Sequence, residues 1–469
     1  MKRSTQKYYT ITILGLIFIA TFAIGLWARS QADRWPTGDE PNYATMAQQF
    51  VKHGNFELKQ AFEEKQYLGV FYGSEIEPQI NWAYFSRTSP EWYSIHSVGE
   101  ALLVAPAVLL ARTANSSELF FSIILMSLLG AVTAAALWRL CYELTQSKSG
   151  STIATLVFVL STSFLSLTGT MFPDLPTALL LILSVFLLNR LRESPSTKLY
   201  VLTSLTAVLL VIFHAKNTLI SITIIGLLFA SLISNKARLR RIAFVMLPAA
   251  ILGGLYLLKI HDWYGAWIIT QPFSNGQLFV LPPAWSIVAS LFDTTKGLLF
   301  NNPAMFFIFA GIPIWYKRDK SSLYMVLLLI VPSMLVQSTF NDWAGGYSPI
   351  GRYILAYLVI LLPTIAYLWE VLRHKVIAQT VVLVAIFVQG VVALTYIARG
   401  YMWNYAGEQN PLLANMQSHF RLAQDISSPI FSYAAAITSP TRGLVLSLEI
   451  IAVIGLFAWG ISLAKVSDS

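Results

Sequence analysis

Three groups of side chains in this sequence could carry chemistry, and each stands beside a long apolar run. The first is an acid pair, Asp39 and Glu40, within Thr37-Gly38-Asp39-Glu40-Pro41-Asn42-Tyr43, about ten residues beyond the first apolar stretch. A carboxylate at a water–membrane boundary suits general-base work, because partial burial raises its proton affinity towards the working pH. The alternative at this place is helix capping, with Asp at the N-terminus and Pro41 in the first turn, worth about 1 kcal/mol. On a helix Glu40 points about 100° away from its neighbour, which suits it to support Asp39 rather than share its role. A further acid, Asp174, lies in Met171-Phe172-Pro173-Asp174-Leu175-Pro176 between two apolar runs. A charge bordering hydrocarbon is costly unless paired or wet; capping of the following helix is again the alternative.

The second group is cationic. Lys216, with His214 beside it, interrupts the apolar stretch 199–234. Arg352, followed by Tyr353, opens another stretch after Asn341-Asp342-Trp343-Ala344-Gly345-Gly346-Tyr347-Ser348-Pro349-Ile350-Gly351. A guanidinium offers a planar fork to two phosphate oxygens and keeps its charge when partly buried. Gly345, Gly346 and Gly351 would let backbone approach an anion closely. Snorkelling to the membrane interface is the plainer reading for either cation. The third group is His53, His96 and His261. His96 and His261 are candidates for substrate or metal contacts, but no H-x-x-x-H spacing joins the histidines. Solvated surface histidines are the simpler reading, while a divalent cation held by carboxylates and water stays chemically admissible. The metal itself is left unknown. Walker loops, dinucleotide fingerprints and G-x-S-x-G elbows are absent. Cys141 is the only cysteine, so an intramolecular disulfide and a cysteine metal cluster are both excluded.

The elements that must hold these groups are membrane helices. Of 469 residues, 56% are hydrophobic and 12% charged, against about 25% charged in a soluble protein. The apolar runs are continuous and helix-length, unlike the alternating segments of an outer-membrane barrel. Spans are expected at 8–28, 118–138, 151–170, 174–191, 199–214, 217–234, 242–258, 297–315, 322–340, 352–371, 376–397 and 443–464. The first run is too long for a signal peptide and has no small-residue cleavage site after it, so an uncleaved anchor is expected. Alternate connections are short and basic: Arg139 and Lys148; Arg190, Arg192 and Lys198; Lys236 to Arg241; Lys317 to Lys320; Arg373 and Lys375. By the positive-inside rule these are cytoplasmic, with both chain termini. The net charge of +9 is thereby a matter of topology and calls for no nucleic-acid partner. The stretch 97–112, with Glu100 and Pro106, is expected to lie in or dip into the outer interface. Three long outer segments remain, 29–117, 259–296 and 399–441, and loops of that length in a compact protein are usually functional.

At these residues a family becomes recognisable. Gly38-Asp39-Glu40-Pro41-x-Tyr43 resembles the start of the first outer loop in GT-C superfamily glycosyltransferases, in the clan of protein O-mannosyltransferases and the lipid A aminoarabinose transferase. Tyr93 to Pro106 is similar to the clan's H-P-P-G juxtamembrane hairpin, with Ser97 and Val98 in place of the two prolines. Phe172-Pro173-Asp174 resembles its second acidic position, and Trp343-x-Gly345-Gly346-x-Ser348-x-x-x-Arg352-Tyr353 a late outer-loop motif of bacterial members. The resemblance covers roughly 8–371. It implies an all-α polytopic GT-C-like bundle of about twelve transmembrane helices with a helical juxtamembrane region on the outer face. In that reading 1–398 is the transmembrane catalytic module, and 399–469 an outer loop with the last transmembrane helix. The activity it implies is transfer of a sugar from a polyprenyl-phosphate donor to an extracytoplasmic glycan, lipid or protein acceptor, at the outer face of the inner or plasma membrane. Asp39 would be the inverting general base with Glu40 and Asp174, while Arg352, Lys216 and Tyr353 would hold the donor phosphate. Two rivals stand beside it: an O-antigen ligase or polymerase using a pyrophosphate-linked glycan, and a lipid or solute transporter. A transporter would place ionisable groups near midplane and show two related halves.

Overall fold

A computed structural model of the chain describes residues 2–31, 39–63, 83–85, 91–94, 96–234, 239–265, 267, 285–338, 348–399, 410, 413, 427, 430, 437 and 439–466. In chain order the first elements are α1 (Lys2–Gln31), α2 (Glu40–His53), α3 (Lys59–Glu63) and a small antiparallel ribbon of β1 (Ala83–Phe85) and β2 (Trp92–Ser94). Then follow α4 (Gly99–Thr113), α5 (Glu118–Thr145), α6 (Lys148–Val159), α7 (Thr162–Thr168), α8 (Asp174–Glu193), α9 (Thr197–Phe213), α10 (Thr218–Ser234) and α11 (Leu239–Tyr264). The last are α12 (Trp285–Phe292), α13 (Leu298–Asn301), α14 (Phe307–Ser338), α15 (Arg352–Leu358), α16 (Pro363–Val371), α17 (Val376–Ala398) and α18 (Pro440–Val466).

The expected spans overlap helices in the structure, but not every one is a single long rod. Among the described residues six helices are long and apolar enough to cross a membrane, or eight with each bent pair taken as one span. The bent pairs are α6 with α7, at 70°, and Arg352–Leu361 with Pro363–Val371, at 46°. Gly15–Ala28 and α9 are shorter apolar helices. The expected spans 297–315 and 322–340 meet inside α14 at Asp319, whose φ of −151° and ψ of 80° break the helix. There the Asp319 carboxylate caps the second half by accepting from Ser322 N at 3.1 Å. In the stretch 97–112 the structure has α4, 15 residues long. At 1.5 Å per residue it rises about 22 Å, short of the roughly 30 Å a span needs.

The chain divides into two compact units, Met1–Ala32, Ser127–Gly169 and Phe279–Ser469 in one, Asp33–Met126 and Thr170–Leu278 in the other. In the first, α14 packs on α16 and α18, α16 on α6, and α7 on α17. Trp315, fully buried, stacks on Tyr367 at 5.8 Å and donates its ring N–H to Ser322 Oγ. In the second unit, α9 packs on α8, α10 and α11, and α2 lies along α4. Tyr43, Met46, Phe56, Leu58, Val104 and Val108 form part of the apolar core between α2 and α4. Gly99 opens α4 where it meets the end of α9: a Cβ there would stand 2.6 Å from Ile212 O. No larger residue fits that approach without moving backbone, which typically costs about 1–3 kcal/mol.

Candidate functional site

Asp39 sits at the start of α2 in a helical conformation (φ −83°, ψ −12°), and its side chain makes no capping hydrogen bond. The capping alternative raised by its sequence position is therefore not what the carboxylate does. Its Oδ1 instead lies 3.9 Å from His96 Nε2, and the two side chains are 16% and 9% exposed. Glu40 behaves differently. It is fully buried, and its Oε1 accepts from Met171 N at 2.9 Å. That bond ties the start of α2 to the turn that leads into Asp174. The approximately 100° between successive helix positions turns Glu40 into the core, while Asp39 stands against His96 with 16% exposure.

Asp174 is the first residue of α8 and completely buried. Its Oδ1 accepts from Lys216 Nζ at 2.6 Å, a pair with 3% and 0% side-chain exposure. Lys216 is placed by a short 3-10 turn, Ala215–Asn217, in the gap between α9 and α10. His214 holds that turn by accepting from Lys216 N through Nδ1 at 3.1 Å. Asn217 secures it by donating to Thr177 Oγ1 on α8 and to Leu210 O on α9. Paired in this way, two charges that would each be costly near hydrocarbon stabilise one another.

His96 is fixed from several sides. Its N–H donates to Ser94 Oγ at 3.1 Å, and its ring packs on Tyr43 at 5.4 Å. The hydroxyl of Tyr264, at the end of α11, donates to Ser94 O. Tyr93 stacks on Trp263 at 5.2 Å. Burial, with Glu91 accepting its hydroxyl proton, pushes the Tyr93 phenol above its ordinary range, so it stays a donor. His261 is exposed on α11 and stacks on Trp267 at 4.4 Å, and His53 is exposed at the end of α2.

The cationic motif belongs to the other unit. Arg352 is buried at the start of α15, with its guanidinium 5.1 Å from the centre of the Tyr353 ring. Gly351 turns the chain into this helix at φ +62°, a conformation that suits only glycine here, since a Cβ would also strike Leu298. Trp343, Gly345 and Gly346 lie outside the described residues. The structure adds two groups that sequence reasoning passed over, Asp293 and Lys296, both buried. Asp293 Oδ1 accepts from Thr295 N, Thr295 Oγ1 and Lys296 N. Lys296 donates through Nζ to Ser348 O at 2.6 Å, and its own carbonyl accepts from Gly351 N at 3.1 Å. The sequence signal was Asp293-Thr294-Thr295-Lys296-Gly297, charged residues set directly against the apolar run at 297–315.

Asp39, Glu40, His96, Asp174 and Lys216 are thus gathered in one unit, and Arg352, Tyr353, Asp293 and Lys296 in the other. Among the described residues no three His, Cys, Asp or Glu side chains converge as metal ligands.

No family model matches the chain, and no curated protein does. Among solved structures, ArnT from Cupriavidus metallidurans in the apo state matches over 96% of this chain and 75% of its own, at 12% identity and a TM-score of 0.52. The same protein bound to undecaprenyl phosphate matches over 96% and 76%, at 11% identity and 0.48. The archaeal oligosaccharyltransferase AglB from Archaeoglobus fulgidus, in complex with an inhibitory peptide and a dolichol-phosphate, matches over 93% of this chain at 12% identity and 0.47. This chain spans 61% of the length of that enzyme. At such identities the likeness to ArnT is one of fold, and it is the GT-C likeness that the motifs around Asp39 and Asp174 led us to expect. The chain is a multi-pass helical membrane protein with the GT-C fold.

Proposed function

We propose that this protein is a membrane glycosyltransferase that moves a sugar from a polyprenyl-phosphate donor to an extracytoplasmic glycan, lipid or protein acceptor. The observation that carries the reading is the division of labour among the acids: Glu40 and Asp174 are fully buried and bonded to Met171 N and Lys216, whereas Asp39 keeps 16% exposure and makes no cap. Asp39 is the general base. It takes the proton from an acceptor hydroxyl as that oxygen attacks the anomeric carbon from the face opposite the phosphate, with inversion. The bond from carbon to the bridging phosphate oxygen breaks, and its electron pair leaves with the phosphate. A phosphate leaving group needs electrostatic stabilisation more than a proton, so one base and cations suffice, unlike the paired carboxylates of a glycosidase. Glu40 holds the Asp174 turn beside the base, and the Asp174–Lys216 pair braces α8 against the α9–α10 connection.

Arg352 holds the donor phosphate, with Tyr353 alongside. The bridging oxygen gains negative charge during transfer, so the guanidinium helps the transition state more than the ground state. Arg352→Lys keeps the charge without the fork and is expected to retain part of the activity, whereas Arg352→Ala becomes nearly inactive. Donor affinity and turnover measured for both in one detergent check this, and an alanine variant that matches the parent reduces Arg352 to an interfacial anchor. The assignment as a whole is tested by offering the purified protein defined donors. Consumption of a polyprenyl monophosphate sugar supports it. A strict requirement for a pyrophosphate-linked oligosaccharide replaces it with the ligase reading, and vesicle uptake without any sugar transfer replaces it with the transporter reading.

A further inference from the structure

We infer that His96 is the positioning residue of the base: as a neutral imidazole it stands against Asp39 and receives the proton that Asp39 removes from the acceptor. The inference rests on the proposed role of Asp39 and deepens it. Its geometric ground is the approach of His96 Nε2 to Asp39 Oδ1 at 3.9 Å, both side chains being largely buried. At 3.9 Å the two are in ion-pair range and beyond hydrogen-bond length, and such contacts commonly tighten only when substrate is bound.

The turn bearing His96 is held in a way that serves such a contact. Ser94 accepts at its carbonyl from Tyr264 and at its hydroxyl from His96 N. Ser97 hydrogen-bonds Tyr256 of α11, and the imidazole packs on Tyr43. Three elements, α2, β2 and α11, therefore fix one imidazole against one carboxylate.

The proton balance follows from ordinary acidities. The acceptor O–H breaks and its proton goes to Asp39 Oδ1, then to His96 Nε2, giving an imidazolium, and finally to water outside. An imidazole is ordinarily a stronger base than a carboxylate, so transfer from Asp39 to His96 runs downhill. Loss of that proton to water returns His96 to the neutral imidazole and leaves Asp39 ionised for the next turnover. The elements packed around this turn also carry Glu40, Tyr43, Lys52 and His53 on α2, Glu57 before α3, Glu91 and Tyr93 at β2, the buried Glu100 and Arg112 on α4, and Tyr256, Lys259, His261, Asp262 and Tyr264 on α11. The nearby Asp174–Lys216 pair is internally compensated.

The test is the pH dependence of turnover in the full-length protein. The parent should lose activity on the acid side as His96 takes up a proton, because a protonated His96 cannot accept a further one. In His96→Gln the plateau should fall by about 10-fold and the acid limb should move to lower pH, since Asp39 alone then limits turnover. Added imidazole should restore turnover to His96→Ala. A His96→Gln enzyme that keeps the parent limb and plateau overturns the proposal, and so does an alanine variant that is folded by its melting temperature yet deaf to imidazole. Loss of turnover in Asp39→Asn with a silent His96→Gln would sink the His96 role alone. A parent protein that consumes no lipid-linked sugar would instead remove the reading on which it rests.

Discussion

Asp39→Asn is expected to lower turnover by at least about 10²-fold, the low end for a positioned general base, while leaving the fold and donor binding intact. The reason is geometric. The side chain makes no cap hydrogen bond to α2, and the amide has the same shape as the carboxylate. At 16% exposure there is room for the isosteric amide. What the amide cannot do is accept a proton from an attacking hydroxyl. A melting temperature close to the parent, normal donor binding and a lost rate are the expected pattern. Turnover near that of the parent would take Asp39 out of the mechanism, and a large fall in melting temperature would show that the carboxylate has a structural load.

Lys216→Met is expected to be the most destabilising single change in the same unit. It leaves the Asp174 carboxylate at 0% exposure without the ammonium that now stands 2.6 Å away. Breaking a buried pair from one side costs about 3–5 kcal/mol, whereas replacing both partners by apolar groups of similar size is often close to neutral. The double variant Lys216→Met with Asp174→Leu should therefore recover most of the melting temperature lost by the single one. The pair also separates structure from chemistry. If the double variant is stable and active, the two charges brace the fold. If it is stable and inactive, one of them acts on substrate, Lys216 on the donor phosphate or Asp174 on the acceptor. A single variant as stable as the parent would mean that the two charges are not coupled.

The sequence by itself settled the helices and where the polar groups interrupt them. Hydropathy over about 20 residues is a local property, so the expected spans fall on helical segments, but only six to eight of the helices among the described residues are long and apolar enough to cross a membrane, and α4 is 15 residues long. The motifs around Asp39, Asp174 and Arg352 stood out because charged residues at the ends of apolar runs are costly wherever the chain goes. The Asp319 break was also readable as a cluster of charges between two apolar runs.

Tertiary structure decided what each charged group does. Whether Asp39 caps α2 or faces outward depends on one backbone conformation and on His96, more than fifty residues away in sequence. Glu40 finds its partner 131 residues on, at Met171, and Asp174 finds Lys216 42 residues on. Asp293 and Lys296 resembled an ordinary loop end until Ser348, 52 residues beyond Lys296, supplied the carbonyl that orders the lysine. A hydrogen bond or ion pair reaches only a few ångströms, so its partner is chosen by how the helices pack, and no local pattern in the chain records that choice.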